Sequence, residues 1–150
     1  MKSFLALATG VLMMTSSADA APALQRYPAP SFAGAAPPFS KAVRAGDVLY
    51  LSGVIGRTSD GKVPDGIDAQ TRAAMDEIGA TLKSAGVGYG DVIHCTVFLT
   101  DMKNWPAFNK AYVGYFSAGQ LPARSAVGVT ALALPGALVE IECQAYAGKR

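Results

Sequence analysis

Histidine and cysteine are nearly absent from this 150-residue chain, which holds one His and two Cys. With His94 alone, a His-rich metal site is excluded, and no His/Cys cluster has the spacing of a zinc site. A His-dependent triad would have to run through His94, which lies in mid-strand with no Ser partner in view. The motif inventory is equally thin. No G-x-G-x-x-G, no P-loop and no G-x-S-x-G occurs, so the phosphate-cradling and nucleophile-elbow signatures are excluded. Basic runs are lacking, and a net charge of +2 offers no clustered Lys and Arg for nucleic acid. Charged residues make up only 16%, while the 51% hydrophobic content is too high for a disordered chain. The length suits one domain with a real core.

No apolar run suffices to span a bilayer, which needs roughly 20 residues. The stretch from Phe4 to Met14 is too short, but its surroundings are informative. Lys2 precedes it and Ala18-Asp19-Ala20 follows, which is the order of a secretory leader. Residues 1–20 are therefore expected to be a signal peptide, and the mature protein to be exported, to a periplasm or as a secreted protein, with no membrane attachment after cleavage. Residues 21–38, rich in Pro and Ala and without periodicity, read as a flexible lead-in, and 39–150 as the folded domain.

Export changes how Cys95 and Cys143 are read, because an oxidising compartment permits a disulfide. Both fall inside expected strands. A bridge needs Cα atoms roughly 4.4–6.8 Å apart and converging Cβ vectors, which sequence does not supply. Two small buried thiols are the simpler expectation, and pairing stays open. His94, as a strand neighbour of Cys95, points to the other face, so a Cys-His nucleophile is unsupported.

What is present is a regular succession of elements. "KAVRAGDVLYLSGVIG" reads as two strands around a Gly46-Asp47 turn. From Asp68 to Ala85 the positions Thr71, Met75, Ile78, Leu82 and Ala85 form one helical face, with Asp65 or Asp68 as cap, Gly86 as terminator and Asp68–Arg72 as an i,i+4 pair. "DVIHCTVFLTD" is β-rich. In "NWPAFNKAYVGYF" Trp105, Phe108, Tyr112 and Tyr115 recur at helical spacing, most simply as core packing, with Asn104 as cap. "ARSAVGVTAL" and "ALVEIECQAYA" read as two last strands around Pro135-Gly136. The order β-β-α-β-α-β-β gives an α+β layer with both helices on one face. Apolar residues at both parities of several strands leave the other face in want of a second subunit.

Chemistry is left to polar residues set in apolar strands. Arg124 opens a late strand, and Ser52-Gly53 ends an early one. Glu140 and Glu142 share one strand face. A guanidinium and a carboxylate on buried faces need partners. They either satisfy each other, Arg124 bridging subunits through Glu140, or line a pocket.

The strings "PFSKAVRAGDVLYLSG", "AQTRAAMDEIGATLKSAG", "DVIHCTVFLTDM", "FNKAYVGYF", "PARSAVGV" and "ALVEIEC", in order from Pro38 to Ala147, resemble the reactive-intermediate deaminase (Rid, or YjgF-type) family. The resemblance implies a chorismate-mutase-like, ferredoxin-like α+β domain, assembled as a homotrimer with clefts between subunits. It implies hydrolysis of small 2-iminoacids to 2-oxoacids and ammonia without metal or organic cofactor. The family's Arg, matched by Arg124, clamps the substrate carboxylate, and its Glu, matched by Glu140, holds or activates water. Ser52 and Gly53 of "SG" and Asn109 match pocket or interface positions. Five positions depart from the pattern. Phe39 stands for a Tyr whose hydroxyl touches substrate, Val54-Ile55-Gly56 for Gln-x-Pro, and Glu77 for an Asn. Ala126 stands for a Cys whose backbone carbonyl acts on the water. These departures make the pocket more apolar. An exported protein with a lost hydroxyl also fits a second reading, a non-catalytic trimeric binder of small carboxylates or of a protein partner.

Overall fold

The computed structural model describes residues 23–31, 34–58 and 60–149. The expected signal peptide, 1–20, lies outside the described residues. The chain runs β1 (Leu24–Pro28), β2 (Ser40–Ala45), β3 (Val48–Leu51), β4 (Val54–Ile55), α1 (Ile67–Ser84), β5 (Val92–Leu99), α2 (Trp105–Tyr112), β6 (Ala123–Gly128) and β7 (Val139–Tyr146). The strands form one mixed sheet in the order β1-β2-β3-β7-β5-β6, with β4 also beside β7. Among the described strands only β5 and β6 run parallel, and α2 is the crossover between them. The α+β layer expected from the sequence is present.

The core lies between the sheet and the helices. Thr71, Met75, Ile78 and Leu82 of α1 are buried, as their spacing requires, against Val97, Leu99, Val139 and Ile141. In β7 the odd positions Val139, Ile141, Cys143 and Ala145 are buried, so Glu140, Glu142 and Gln144 stand on the opposite face. Among the described residues that face carries no helix. It exposes Tyr50, Val127 and Tyr146.

Four local expectations are corrected. The lead-in is extended, but Leu24–Pro28 pairs with β2, so the sheet begins before residue 39. Tyr27 packs on the core and supplies the anchor that composition conceals. At α1, neither Asp65 nor Asp68 caps: Gly66 takes the N-cap without a side-chain hydrogen bond. Asp68 instead receives the Arg72 guanidinium at 2.9 Å, the expected i,i+4 pair. The second helix stops at Tyr112 and tightens into a 3₁₀ turn over Val113–Tyr115, where Gly114 weakens the α form. Asn104 precedes it without a side-chain cap.

The cysteines are not free thiols. Cys95 and Cys143 are directly opposed on β5 and β7 with Cα atoms 4.1 Å apart, slightly closer than the usual span of a bridge, and they form a disulfide. Opposed residues of an antiparallel pair send their Cβ atoms to the same face, which the register alone decides.

Two glycines let the chain turn beside the candidate site. Tyr50 pairs with Gln144 and Val54 with Ile141, so four steps on one strand oppose three on β7. This is a one-residue bulge at Ser52-Gly53. Just beyond it Gly56 lies so close to α1 that a Cβ there would sit 2.1 Å from the Gln70 carbonyl oxygen. Gln70 in turn donates to the Pro64 and Gly136 carbonyls at 2.9 and 3.0 Å and accepts from the Leu138 N–H at 2.7 Å. A buried amide thereby ties the β6–β7 loop to α1, and that loop bears Ala133 and Leu134.

Candidate functional site

The site residues fall into two clusters. The first surrounds the bulge. Phe39, Gly53, Val54, Arg57, Glu77 and Leu134 line two adjoining cavities of about 270 and 310 Å³. Ser52 and Lys41 join the first cavity and Glu140 the second. Ser52 Oγ donates to the Ser40 carbonyl at 2.7 Å, which fixes its rotamer and locks the bulge to β2. Glu140 projects across Gly53, where a Cβ would meet its Oε1 at 2.0 Å. The missing side chain at 53 is what gives the carboxylate its place. Burial pushes the Glu140 carboxyl above the usual carboxylate range, and the neighbouring Glu142 charge adds to the shift.

The second cluster is built on α2 and β6. Parallel pairing with β5 sets Arg124 opposite Cys95, on the helix face of the sheet. Its guanidinium lies 4.6 Å from the Trp105 ring centroid, 4.7 Å from that of Tyr112 and 5.6 Å from that of Phe108. The aromatic stripe expected to be core packing is thus also a shelf for a cation. Phe108 stacks on Trp105 and on Tyr112, which stiffens the shelf. Arg124 and Tyr112 border a cavity of about 170 Å³ together with Val113, Leu121 and Pro122. Burial pushes the Tyr112 hydroxyl up to about 12, against the pull of the Arg124 charge. Ala126 lies two residues on, on the same face, packed on the core. Asn109 shares the stripe of Trp105 and Tyr112. Its Oδ1 and the Tyr112 hydroxyl are buried without a hydrogen-bond partner among the described residues.

The two clusters do not meet within a protomer. Arg124 aligns with Cys95, while Glu140 aligns with Phe98 on the opposite face. Three residues along the strand and two strands across place their Cα atoms roughly 14 Å apart. Among the described residues Arg124 has no carboxylate partner. Phe39, Ser52, Gly53 and Glu140 come together; Arg124, Asn109 and Ala126 form the other group. Trp105, Tyr112 and Leu134 were not expected as site residues. Leu134 carries no sequence signal, since only the Gln70 clamp brings its loop to the groove.

Among the described residues no group of three or more His, Cys, Asp or Glu is placed to hold a metal ion. No helix there is long and apolar enough to cross a membrane.

The family model described as Endoribonuclease L-PSP matches residues 30–147. Mouse 2-iminobutanoate/2-iminopropanoate deaminase is 39% identical over 113 residues, which cover 74% of this chain and 82% of the relative. The chloroplastic Reactive Intermediate Deaminase A of Arabidopsis thaliana is 38% identical over 108 residues, 71% of this chain but only 57% of the relative's length. A solved structure from the conserved Rid protein family of Yersinia pestis superposes with a TM-score of 0.74 at 36% identity, covering 83% of this chain and 99% of the other. With its sheet, its two helices and its sequence all matched, the chain belongs to the YjgF-type, or reactive-intermediate deaminase (Rid), family.

Proposed function

We propose that this protein hydrolyses 2-iminoacids to 2-oxoacids and ammonia, in clefts that a homotrimer completes between protomers. The observation that carries the reading is Arg124. A half-buried guanidinium without a counter-ion among the described residues, fixed over three rings beside a small cavity, is prepared for an anion. A planar, bidentate group on a 2-iminoacid, its carboxylate, fits that fork. Glu140 is the complementary half, and its position on the opposite face supports a site assembled from two protomers. The helix-free face with Tyr50, Val127 and Tyr146 supports association as well.

The chemistry asks little of the protein. An iminium carbon is already electrophilic. Water adds its oxygen to that carbon while the C=N pair moves to nitrogen, and Glu140 takes the water proton. Glu140 then returns the proton to the amine nitrogen. The C–N bond breaks, the hydroxyl becomes the carbonyl, and the released proton leaves with ammonia as ammonium. A carboxyl whose proton affinity is raised by burial is suited to both transfers. Export of the protein belongs to the same proposal, and the Cys95–Cys143 bridge supports an oxidising compartment.

A second reading, a trimeric binder of small carboxylates without turnover, is favoured by Phe39, which brings no hydroxyl to the groove. The experiment is 2-oxoacid release from an enzymatically generated imine. Arg124→Ala is expected to lose at least a hundredfold in kcat/KM, and Arg124→Lys to recover only part of it. Equal rates for wild type, Arg124→Ala and buffer refute catalysis, and pyruvate binding without turnover then supports the second reading.

A further inference from the structure

The groove around Gly53 is larger than a small imino acid needs. Its first lobe, of about 270 Å³, has room for roughly nine water-sized groups. An imine derived from alanine would place one methyl there. Phe39, Val54 and Leu134 wall this lobe with Pro30 and Pro37. Phe39 is 57% exposed within the protomer, so much of its ring is open to a ligand. Phe39 and Gly53 also line the second lobe, where Glu140 stands, so the reacting end and the apolar lobe share walls. Across both lobes Lys41 and Arg57 balance Glu77 and Glu140, and a charged side chain finds no net charge to seek. Gln70 holds the Leu134 loop, so the wall is formed before any ligand arrives.

We propose that the substrates are 2-iminoacids with a bulky apolar side chain, branched aliphatic or aromatic, which fills the Phe39–Val54–Leu134 lobe while the imine carbon lies at Glu140. This rests on the deaminase reading above. Each added methylene in an apolar pocket changes kcat/KM by roughly tenfold or more. The imine from leucine is therefore expected to exceed that from alanine at least tenfold.

The test uses an amino-acid oxidase to supply imines from alanine, leucine and phenylalanine to wild type and Arg124→Ala. Calorimetry of 4-methyl-2-oxopentanoate against pyruvate runs alongside. The expected result is a tenfold or greater preference for the bulky member in both measurements. Leu134→Trp, which fills the lobe, is expected to lower that ratio at least fivefold, whatever its absolute rate. Arg124-dependent turnover that is as fast on the alanine imine overturns this inference and leaves the deaminase reading standing. It would mean that the neighbouring protomer fills the lobe. A binding preference without turnover upholds the lobe and overturns the deaminase reading. Neither binding preference nor turnover overturns both.

Discussion

Replacing Gly53 by alanine tests the site with little disturbance to the fold. The added Cβ would lie 2.0 Å from Glu140 Oε1 and 2.9 Å from its Cδ. Ordinary contact requires about 3.5 Å, so the carboxylate must withdraw by roughly 1.5 Å. The atom in the way is the end of a flexible side chain, so rotation about its bonds relieves the clash at little cost in stability. Catalysis is less tolerant. A displacement of about 1 Å at a reacting group can cost on the order of a hundredfold in rate, or about 2.7 kcal/mol of transition-state stabilisation. Gly53→Ala is therefore expected to lower kcat/KM about a hundredfold while Tm shifts by no more than a few degrees. Glu140→Gln should produce a loss of similar size. Because both changes act through one carboxylate, the double variant should be scarcely worse than either single one. Imine hydrolysis and thermal unfolding of the four proteins give the answer. Full activity in Gly53→Ala, or additive losses in the double variant, would refute the placement of Glu140. A large fall in Tm would show that position 53 is structural.

The Cys95–Cys143 bridge closes 48 residues, for which chain entropy gives about 4 kcal/mol, and urea unfolding with and without reductant should show a loss approaching that figure. Glu140 binds its proton more tightly when folded, so its contribution to stability is present below the unfolded pKa and is lost as pH rises through the raised folded value. Glu140→Gln should consequently be as stable as wild type at low pH and more stable at neutral pH, with no gain there counting against burial as the cause. Phe39→Tyr, which adds a hydroxyl to the groove, should raise turnover of small imines several-fold in the same coupled assay, and unchanged turnover would show that a hydroxyl at this position is dispensable.

Much of the fold was legible because local chemistry decided it. The four-and-three steps of Thr71, Met75, Ile78 and Leu82 specify a helix face, and the parity of Val139, Glu140 and Ile141 separates core from open face without any knowledge of partners. What depended on register was hidden. The disulfide needed Cys95 set opposite Cys143, 48 positions away, and the bulge at Ser52-Gly53 needed pairing with a strand near the C-terminus. Tyr27 could not reveal β1, since one anchoring ring in a Pro- and Ala-rich segment leaves no periodic trace. At the site, Arg124 stood out as a cation opening an apolar strand. Its aromatic shelf did not, because rings at helical spacing look the same whether they face aliphatic carbon or a guanidinium. Only the parallel seating of β6 beside β5 tells the two apart.

Arg124 and Glu140 occupy opposite sides of one sheet, and this has a consequence for mixed populations of subunits. In the proposed ring each chain is a donor of the cation to one neighbour and of the carboxylate to the other. A protein lacking the cation and a protein lacking the carboxylate would each be silent alone. Co-expressed, they would rescue one another in roughly a quarter of the interfaces, and an inactive allele could then be masked by a different inactive allele.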